Sequence, residues 1–323
     1  MKAGFLMRNT IRLAAVMALC LAILAGCTAA SQDQPVKPPM PDKVDRYVDG
    51  IPVLDVYVVA DKQTVDMALE DYLLGVLAGE MRNDWPIEAL KAQAILARTF
   101  VLKFMTEKES KYGGADISTD IEEAQAYDAG SIDIHIEQAV EETRGLVLAS
   151  DGQLPYTWFH AHSGGKTEYA KAGLNWNENE PPYTRVADGH ESDAADESAR
   201  EWSASFSQQA VAEAAKAQGV TIDTLESARV GESGESGRAV TLLLNGQQVN
   251  APDFRIALGS TEMRSTFLTD IRVEDGELKM AGKGFGHGVG MSQWGAYALA
   301  EQGKRAEEIV LSYFRNVEVV RMY

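Results

Sequence analysis

From Gly282 to Gly290 every second residue is glycine, in the run GKGFGHGVG. Alternating glycine makes neither a packed strand nor a helix, because half of the positions have no side chain to bury. Backbone of this kind must lie against something. A chain that carries it must fold so that another segment crosses it closely. The run continues into MSQWGA, which adds Gly295. Three side chains stand apart from the glycines. His287, Gln293 and Trp294 set an imidazole, an amide and an indole on glycine-freed backbone, a combination suited to a sugar's hydroxyls and apolar ring face. Dinucleotide binding is set aside, because no βαβ unit surrounds the run and no acidic residue is suitably placed.

The second constraint lies at residues 69–104, LEDYLLGVLAGEMRNDWPIEALKAQAILARTFVLKF. The pattern predicts two helices joined by a short break. The first runs from Gln63 to Met81. The second restarts at Pro86, with Asp84 able to cap it and proline tolerated in its first turn. Ile87, Leu90, Ala94, Ala97, Val101 and Phe104 recur at steps of three and four and mark one buried stripe. Glu80 sits at the end of the first helix, between Gly79 and Met81. A carboxyl in an apolar setting beside a chain break is a candidate general acid, since desolvation favours its protonated form. The bland alternative is a solvated glutamate at a helix end. Arg98 flanks the buried stripe, where an arginine pairs with a carboxylate, snorkels, or points into a cleft.

The N-terminus reads as a targeting segment. Lys2, Arg8 and Arg12 precede an apolar run, residues 13–24, that is too short for a comfortable membrane span. It ends in Leu24-Ala25-Gly26-Cys27, which resembles a bacterial lipobox. Residues 1–26 are then a lipoprotein signal peptide, and Cys27 is the lipidated residue. The implied location is extracytoplasmic, tethered to the membrane by acyl chains. Residues 27–50 are polar and proline-rich, as a tether would be, and 51–323 form the folded domain. Cys20 and Cys27 are the only cysteines. Neither is left for a disulfide, a zinc site or a nucleophile.

The chain has 30 basic and 48 acidic residues, and three of the basic ones lie in the signal segment. The remainder is strongly acidic, which argues against nucleic acid as a partner.

Elsewhere the pattern alternates helices with strands. Ile51–Val59, Leu146–Ala149, Tyr156–His162, Ala239–Leu244 and Val317–Met322 read as strands. Asp151-Gly152, Asn245-Gly246 and Asp275-Gly276 read as hairpin turns. Ile134–Thr143, Phe206–Ala217, Pro252–Leu258 and Arg305–Phe314 read as helices. Residues 175–201 form a long polar segment. The mixture predicts an α+β fold.

Alternation along YTWFHAHSGGKTE places Tyr156, Trp158, His160 and His162 on one face. A His-x-His strand can supply two metal ligands. No third ligand is near in sequence, which favours a cleft-lining pair. Ser163, Gly164 and Gly165 follow, and adjacent glycines let backbone N–H groups approach a ligand. As a P-loop the segment fails, because its glycine spacing is wrong.

Four motifs now carry a resemblance: E-x-Y-L-x-G-V-x-x-x-E-M, W-x-x-E-A-L-K-A-Q-A-I-x-A-R-T, S-G-G-K-T-E and G-x-G-F-G-H-G-V-G-M-S-Q-W-G-A. In this order they resemble the SpoIID/LytB family, the stage II sporulation protein D group and its amidase-enhancer relatives. The resemblance implies a two-lobed domain, with a helical pair carrying the catalytic glutamate on antiparallel strands and a cleft between lobes. It implies a lytic transglycosylase that cuts peptidoglycan glycan strands between N-acetylmuramic acid and N-acetylglucosamine. Glu80 matches the catalytic glutamate. Arg98 matches an active-site arginine, read here as acting on substrate. Tyr183 and Arg185 match a tyrosine and basic residue two apart. Ser163, Gly164, Gly165, His287 and Gln293 supply walls for the sugar. A cell-wall amidase is the implied partner, and the alternative role is a non-catalytic enhancer of that amidase. Some members bind zinc in the loop before Q-x-Y. Here the matching positions are about Ser118, Glu123 and Ala124, without a thiolate, so no metal or other cofactor is expected.

Overall fold

A computed structural model describes residues 36–323. The signal segment, Cys27 and the first part of the tether lie outside the described residues. The described residues begin their element order with β1 (Tyr47–Val48), β2 (Ile51–Val58) and β3 (Gln63–Ala68), then α1 (Leu69–Glu80) and α2 (Ile87–Glu107). β4 (Ile117–Ser118), α3 (Ile134–Glu142), β5 (Leu146–Ala149) and β6 (Phe159–His160) follow. Next come α4 (Ala170–Leu174), α5 (Glu197–Arg200), β7 (Glu201–Ser207), α6 (Gln208–Lys216) and β8 (Ala228–Val230). Then come β9 (Thr241–Leu244), β10 (Gln247–Asn250), α7 (Ala251–Leu258), β11 (Leu268–Glu274) and β12 (Glu277–Lys283). β13 (Met291–Ser292), α8 (Gln293–Glu301), α9 (Ala306–Tyr313) and β14 (Glu318–Arg321) complete the order. The fold is α+β. No helix among the described residues is long and apolar enough to cross a membrane.

Among the described residues two large hydrophobic cores form, beside a small third cluster of Ala195, Ala199 and Trp294. The first surrounds α2. Its residues from Ala89 to Met105 are buried on nearly every side, well beyond the single stripe that the spacing predicts. α1, α3, β5, α8 and α9 pack around it. Asp84 does not cap this helix: its carboxylate binds Arg82, and the N-cap position is Pro86 with no side-chain bond. Burial compensates. A cap contributes about 1 kcal/mol, whereas each fully buried Leu90, Ile95, Leu96 or Leu102 contributes about 1.5–3 kcal/mol. The second core is built from Trp202 and Phe206 of β7, Val211 of α6, Leu242 of β9, Phe254 of α7, and Leu278 and Met280 of β12.

Several segments differ from the sequence expectation. Residues 63–68 extend as β3 and pair antiparallel with β2, so the first helix begins only at Leu69. The tether ends earlier than residue 50. Val44 joins the first core, Arg46 binds Asp55 and Asp66 at 2.7 Å each, and β1 pairs with β2. Asp151-Gly152 makes a tight turn, but β5 pairs with β14 and not with the following segment. Of the expected 156–162 strand, Phe159 and His160 pair in parallel with β13, and His162 makes a lone antiparallel bridge to Phe285.

The glycine run lies against that same 158–168 segment. His162 and Phe285 exchange backbone hydrogen bonds at 3.0 and 2.8 Å, and the Glu168 N–H donates to the Gly288 carbonyl at 2.8 Å. A Cβ at Gly284 would sit 2.6 Å from the His162 carbonyl oxygen, and one at Gly286 would sit 2.5 Å from His160 Cβ. Glycine is required because two backbones touch here. The crossing sets β13, and so the start of α8, beside Ala161, whose carbonyl accepts the Trp294 N–H at 3.0 Å.

Candidate active site

Glu80 is the last residue of α1, and its carboxyl is mostly buried. Gly75 and Gly79, one turn apart, open the adjacent helix surface. The Tyr127 ring lies where a Gly75 side chain would stand, and a Cβ at Gly79 would come 2.7 Å from the Tyr127 nitrogen. The loop therefore rests directly on the helix, and the Ala126 N–H donates to Glu80 Oε1 at 2.7 Å. From the other side the Gln293 amide donates to the Glu80 backbone carbonyl at 3.1 Å and also favours the ionised carboxyl. Burial outweighs both donors and pushes the Glu80 carboxyl up to about 7. Among the described residues no cation holds it ionised, so it can carry a proton near neutral pH and release it.

Gly79→Ala is expected to lift the loop by a few tenths of an ångström or more, at a cost of about 1–3 kcal/mol. Losing the Ala126 bond, which favours the carboxylate, raises the Glu80 titration midpoint further. Carboxyl NMR of the variant checks this, and an unmoved midpoint contradicts the assigned contact.

Beside Glu80, the break between α1 and α2 carries Trp85. Its ring lies 4.4 Å from Trp294 and 5.3 Å from Tyr297, both on α8. The three rings form a small cluster with Ala195 and Ala199, in which Trp294 is buried and Trp85 and Tyr297 are half-buried. Ser163 is fully buried and bonds to Glu191, and the Gly165 N–H donates to Ser163 Oγ at 3.2 Å. The Ser163–Gly165 turn and the Ser292-Gln293 pair are thus brought together.

Other expected site residues lie elsewhere. Arg98 is fully buried, and its guanidinium is engaged by protein partners. Its Nε and Nη2 donate to the two Glu70 oxygens at 3.0 and 2.6 Å, and its Nη1 donates to the Leu146 carbonyl at 3.0 Å. Tyr183 is buried at the other end of α2, in a depression lined by Lys103, Glu107, Tyr156 and Trp176. Its hydroxyl accepts the Tyr156 N–H at 3.0 Å, and burial raises it to about 12. Arg185 is half-buried on the segment beside Thr167, whose hydroxyl donates to its carbonyl at 3.0 Å. His287 faces Gly173, Pro252, Arg255 and Ile256. Its Nδ1 accepts the Val289 N–H at 3.0 Å, and burial, then Arg255 and Arg238, holds it at about 3. It is a neutral clasp within the glycine run, away from Glu80. His160 donates through Nδ1 to the Val289 carbonyl at 3.2 Å, and His162 Nδ1 accepts the Gly164 N–H at 3.0 Å. Among the described residues no three His, Cys, Asp or Glu side chains gather as a metal site.

A family model described as "Stage II sporulation protein" matches residues 60–149, which include both helices and the 111–131 loop. The stage II sporulation protein D of Bacillus amyloliquefaciens is 31% identical over 289 residues, covering 82% of this chain and 77% of its own. The chain belongs to the stage II sporulation protein D family. An uncharacterized protein of Brachyspira hyodysenteriae is 30% identical over 274 residues, or 84% of this chain and 70% of its own. The protein named "Amidase enhancer" of Bacillus subtilis is 27% identical over 286 residues, 75% of this chain and 39% of that longer protein.

In this family member two buried carboxylates escape a reading of the sequence. Glu70 was legible in principle. Two helices that fold back on a short break bring positions equally far from it together, and Glu70 and Arg98 stand ten residues before Glu80 and eleven after Ile87. Glu191 carries no such signal, being one of several acids in a polar stretch. Ala126 contributes only its backbone, which no residue type announces.

Proposed function

We propose that this protein is a lytic transglycosylase of the bacterial cell wall. It cleaves the β-1,4 bond from N-acetylmuramic acid to N-acetylglucosamine in peptide-free glycan strands. One observation carries the reading: a mostly buried Glu80 carboxyl, raised to about 7, that accepts the Ala126 N–H while the Gln293 amide holds the backbone carbonyl of the same residue.

A protonated Glu80 gives its proton to the bridging oxygen as the bond to the anomeric carbon breaks. The muramic acid's own 6-hydroxyl then closes on that carbon and returns its proton to Glu80. One C–O bond breaks, one forms, no water enters, and the product is a 1,6-anhydro sugar. Hydrolases need a second free carboxylate. Glu191 is buried and reaches Ser292, the chain neighbour of Gln293, but both its oxygens are taken by serine donors. It is no free nucleophile, which supports the single-carboxyl mechanism. Gln293 and the Ser163-Gly164-Gly165 turn form the polar wall, and Trp85, Trp294 and Tyr297 the apolar one. A lipid on Cys27 would hold the domain outside the membrane, in reach of the wall.

Wild type and Glu80→Gln, each incubated with purified glycan strands, test this by mass spectrometry. Anhydro-ended products from wild type alone are expected. A second reading is suggested by the relative named as an amidase enhancer: a non-catalytic glycan-binding protein that stimulates an amidase. Absence of product from both proteins, with amidase activity raised by both, would establish that reading instead.

A further inference from the structure

Glu191 lies in the long segment between α4 and α5, yet its side chain is only 13% exposed. Oε1 accepts the Ser163 N–H at 2.7 Å and also the Ser163 hydroxyl. Oε2 accepts the Ser292 hydroxyl at 3.0 Å and lies 3.4 Å from His162 Nε2. Gly189 has no side chain to obstruct this, since a Cβ there would meet both Ser163 Oγ and Glu191 Oε1. One carboxylate therefore ties the Ser163 turn to the start of α8.

Ser292 is the N-cap of α8, where its oxygen accepts the Gly295 N–H at 3.3 Å. A serine hydroxyl has one proton and two lone pairs. Drawing that proton to Glu191 leaves a lone pair aimed at the helix N–H, so the carboxylate sets the direction of the cap. Burial outweighs the serine donors and pushes the Glu191 carboxyl up to about 7, so its negative charge complements the positive end of the helix dipole once it ionises above neutral pH. Gln293 is the very next residue, and its amide is the group held against Glu80.

We propose that Glu191 is a positioning residue for Glu80: by fixing the Ser292 cap it aims the first turn of α8, and with it the Gln293 amide, at the Glu80 backbone carbonyl beside the acid. The catalytic consequence rests on Glu80 acting as proposed above, whereas the geometric link does not. Glu191 faces His162, with Arg238 and Tyr313 nearby. Glu80 faces the Ala126 N–H and Gln293, with Tyr72 nearby. Burial, then Arg200 and Arg238, holds His162 at about 4, so it stays neutral across the range in which Glu80 titrates.

The test is a carboxyl NMR titration of Glu80 in wild type, Glu191→Gln, Ser292→Ala and Ser292→Thr, run beside glycan-cleavage kinetics. Ser292→Ala keeps the Glu191 side chain and its bonds to Ser163, so it isolates the cap, and it decides the matter if Glu191→Gln does not fold. Both Glu191→Gln and Ser292→Ala are expected to raise the Glu80 midpoint by up to about one pH unit, because releasing the Gln293 amide from the Glu80 backbone carbonyl removes a nearby donor that favours the ionised carboxyl. kcat falls about tenfold for the same reason, with KM unchanged, and Ser292→Thr retains wild-type values. A merely destabilising change would lower the amount of folded enzyme and leave the midpoint in place. A midpoint unmoved in folded Ser292→Ala overturns the proposal. A moved midpoint in a protein that cleaves no glycan supports the link and defeats only the catalytic reading.

Discussion

Glu80→Gln is expected to lower glycan cleavage by about 10²–10⁴-fold, the range for loss of a general acid–base, while stabilising the fold above neutral pH. The two effects share one cause. The Glu80 carboxyl is raised from 4.5 to about 7, mainly by burial. Between those values the folded state holds the proton and the unfolded state does not. The stability that Glu80 contributes is therefore complete below its unfolded value and is lost as pH rises through the folded one. A gap of this size corresponds to roughly 3 kcal/mol. Glutamine is never ionised and avoids the loss. Urea unfolding at pH 5 and pH 8 should show the variant gaining on wild type by most of that amount, and an equal difference at both pH values would contradict the buried-acid account. Cleavage by wild type should decline above about pH 7 as the proton donor is lost.

Arg98→Ala is expected to destabilise the fold by about 3–5 kcal/mol, the cost of stranding a buried charge. The stranded group is Glu70. It also accepts the Gly145 N–H at 3.1 Å and the Tyr323 hydroxyl at 2.6 Å. With the Arg98 bond to the Leu146 carbonyl, one ion pair joins α1, α2, the start of β5 and the C-terminal residue. Glu70→Ala should cost a similar amount, since it strands the guanidinium. Replacing both by apolar residues, Arg98→Met with Glu70→Leu, should recover most of the loss, because breaking a buried pair costs more than removing it. Denaturant titration of the three variants reads the cycle. An Arg98→Ala protein of wild-type stability that binds glycan weakly would instead return Arg98 to the substrate.

These two residues show how much the sequence discloses. Glu80 was legible because its position at a helix end beside Gly79 is local, and burial there follows from the apolar run around it. Arg98 was legible as important and misread in role, because its partner stands 28 residues away on the antiparallel helix. The glycine run announced a close crossing, yet the partner segment, 158–168, is set by long-range pairing that alternation alone does not encode. His287 was drawn toward the site by its chemistry. The structure turns it away, because the backbone of the same run consumes its ring nitrogen. Strand 63–68 was hidden by helix-like spacing, and pairing with β2 decided it. Local pattern gave the elements. The pairings that join them, and the backbone donors that shape the acid, required the fold.

The central claim is that one buried carboxyl performs both proton transfers while the substrate's own hydroxyl replaces water. Cleavage of purified glycan strands in ¹⁸O-water tests it directly. The account predicts muramic ends that carry no solvent oxygen and have the mass of the anhydro form from the first turnovers onward. Reducing ends that carry one ¹⁸O would show that water is the nucleophile and would contradict it.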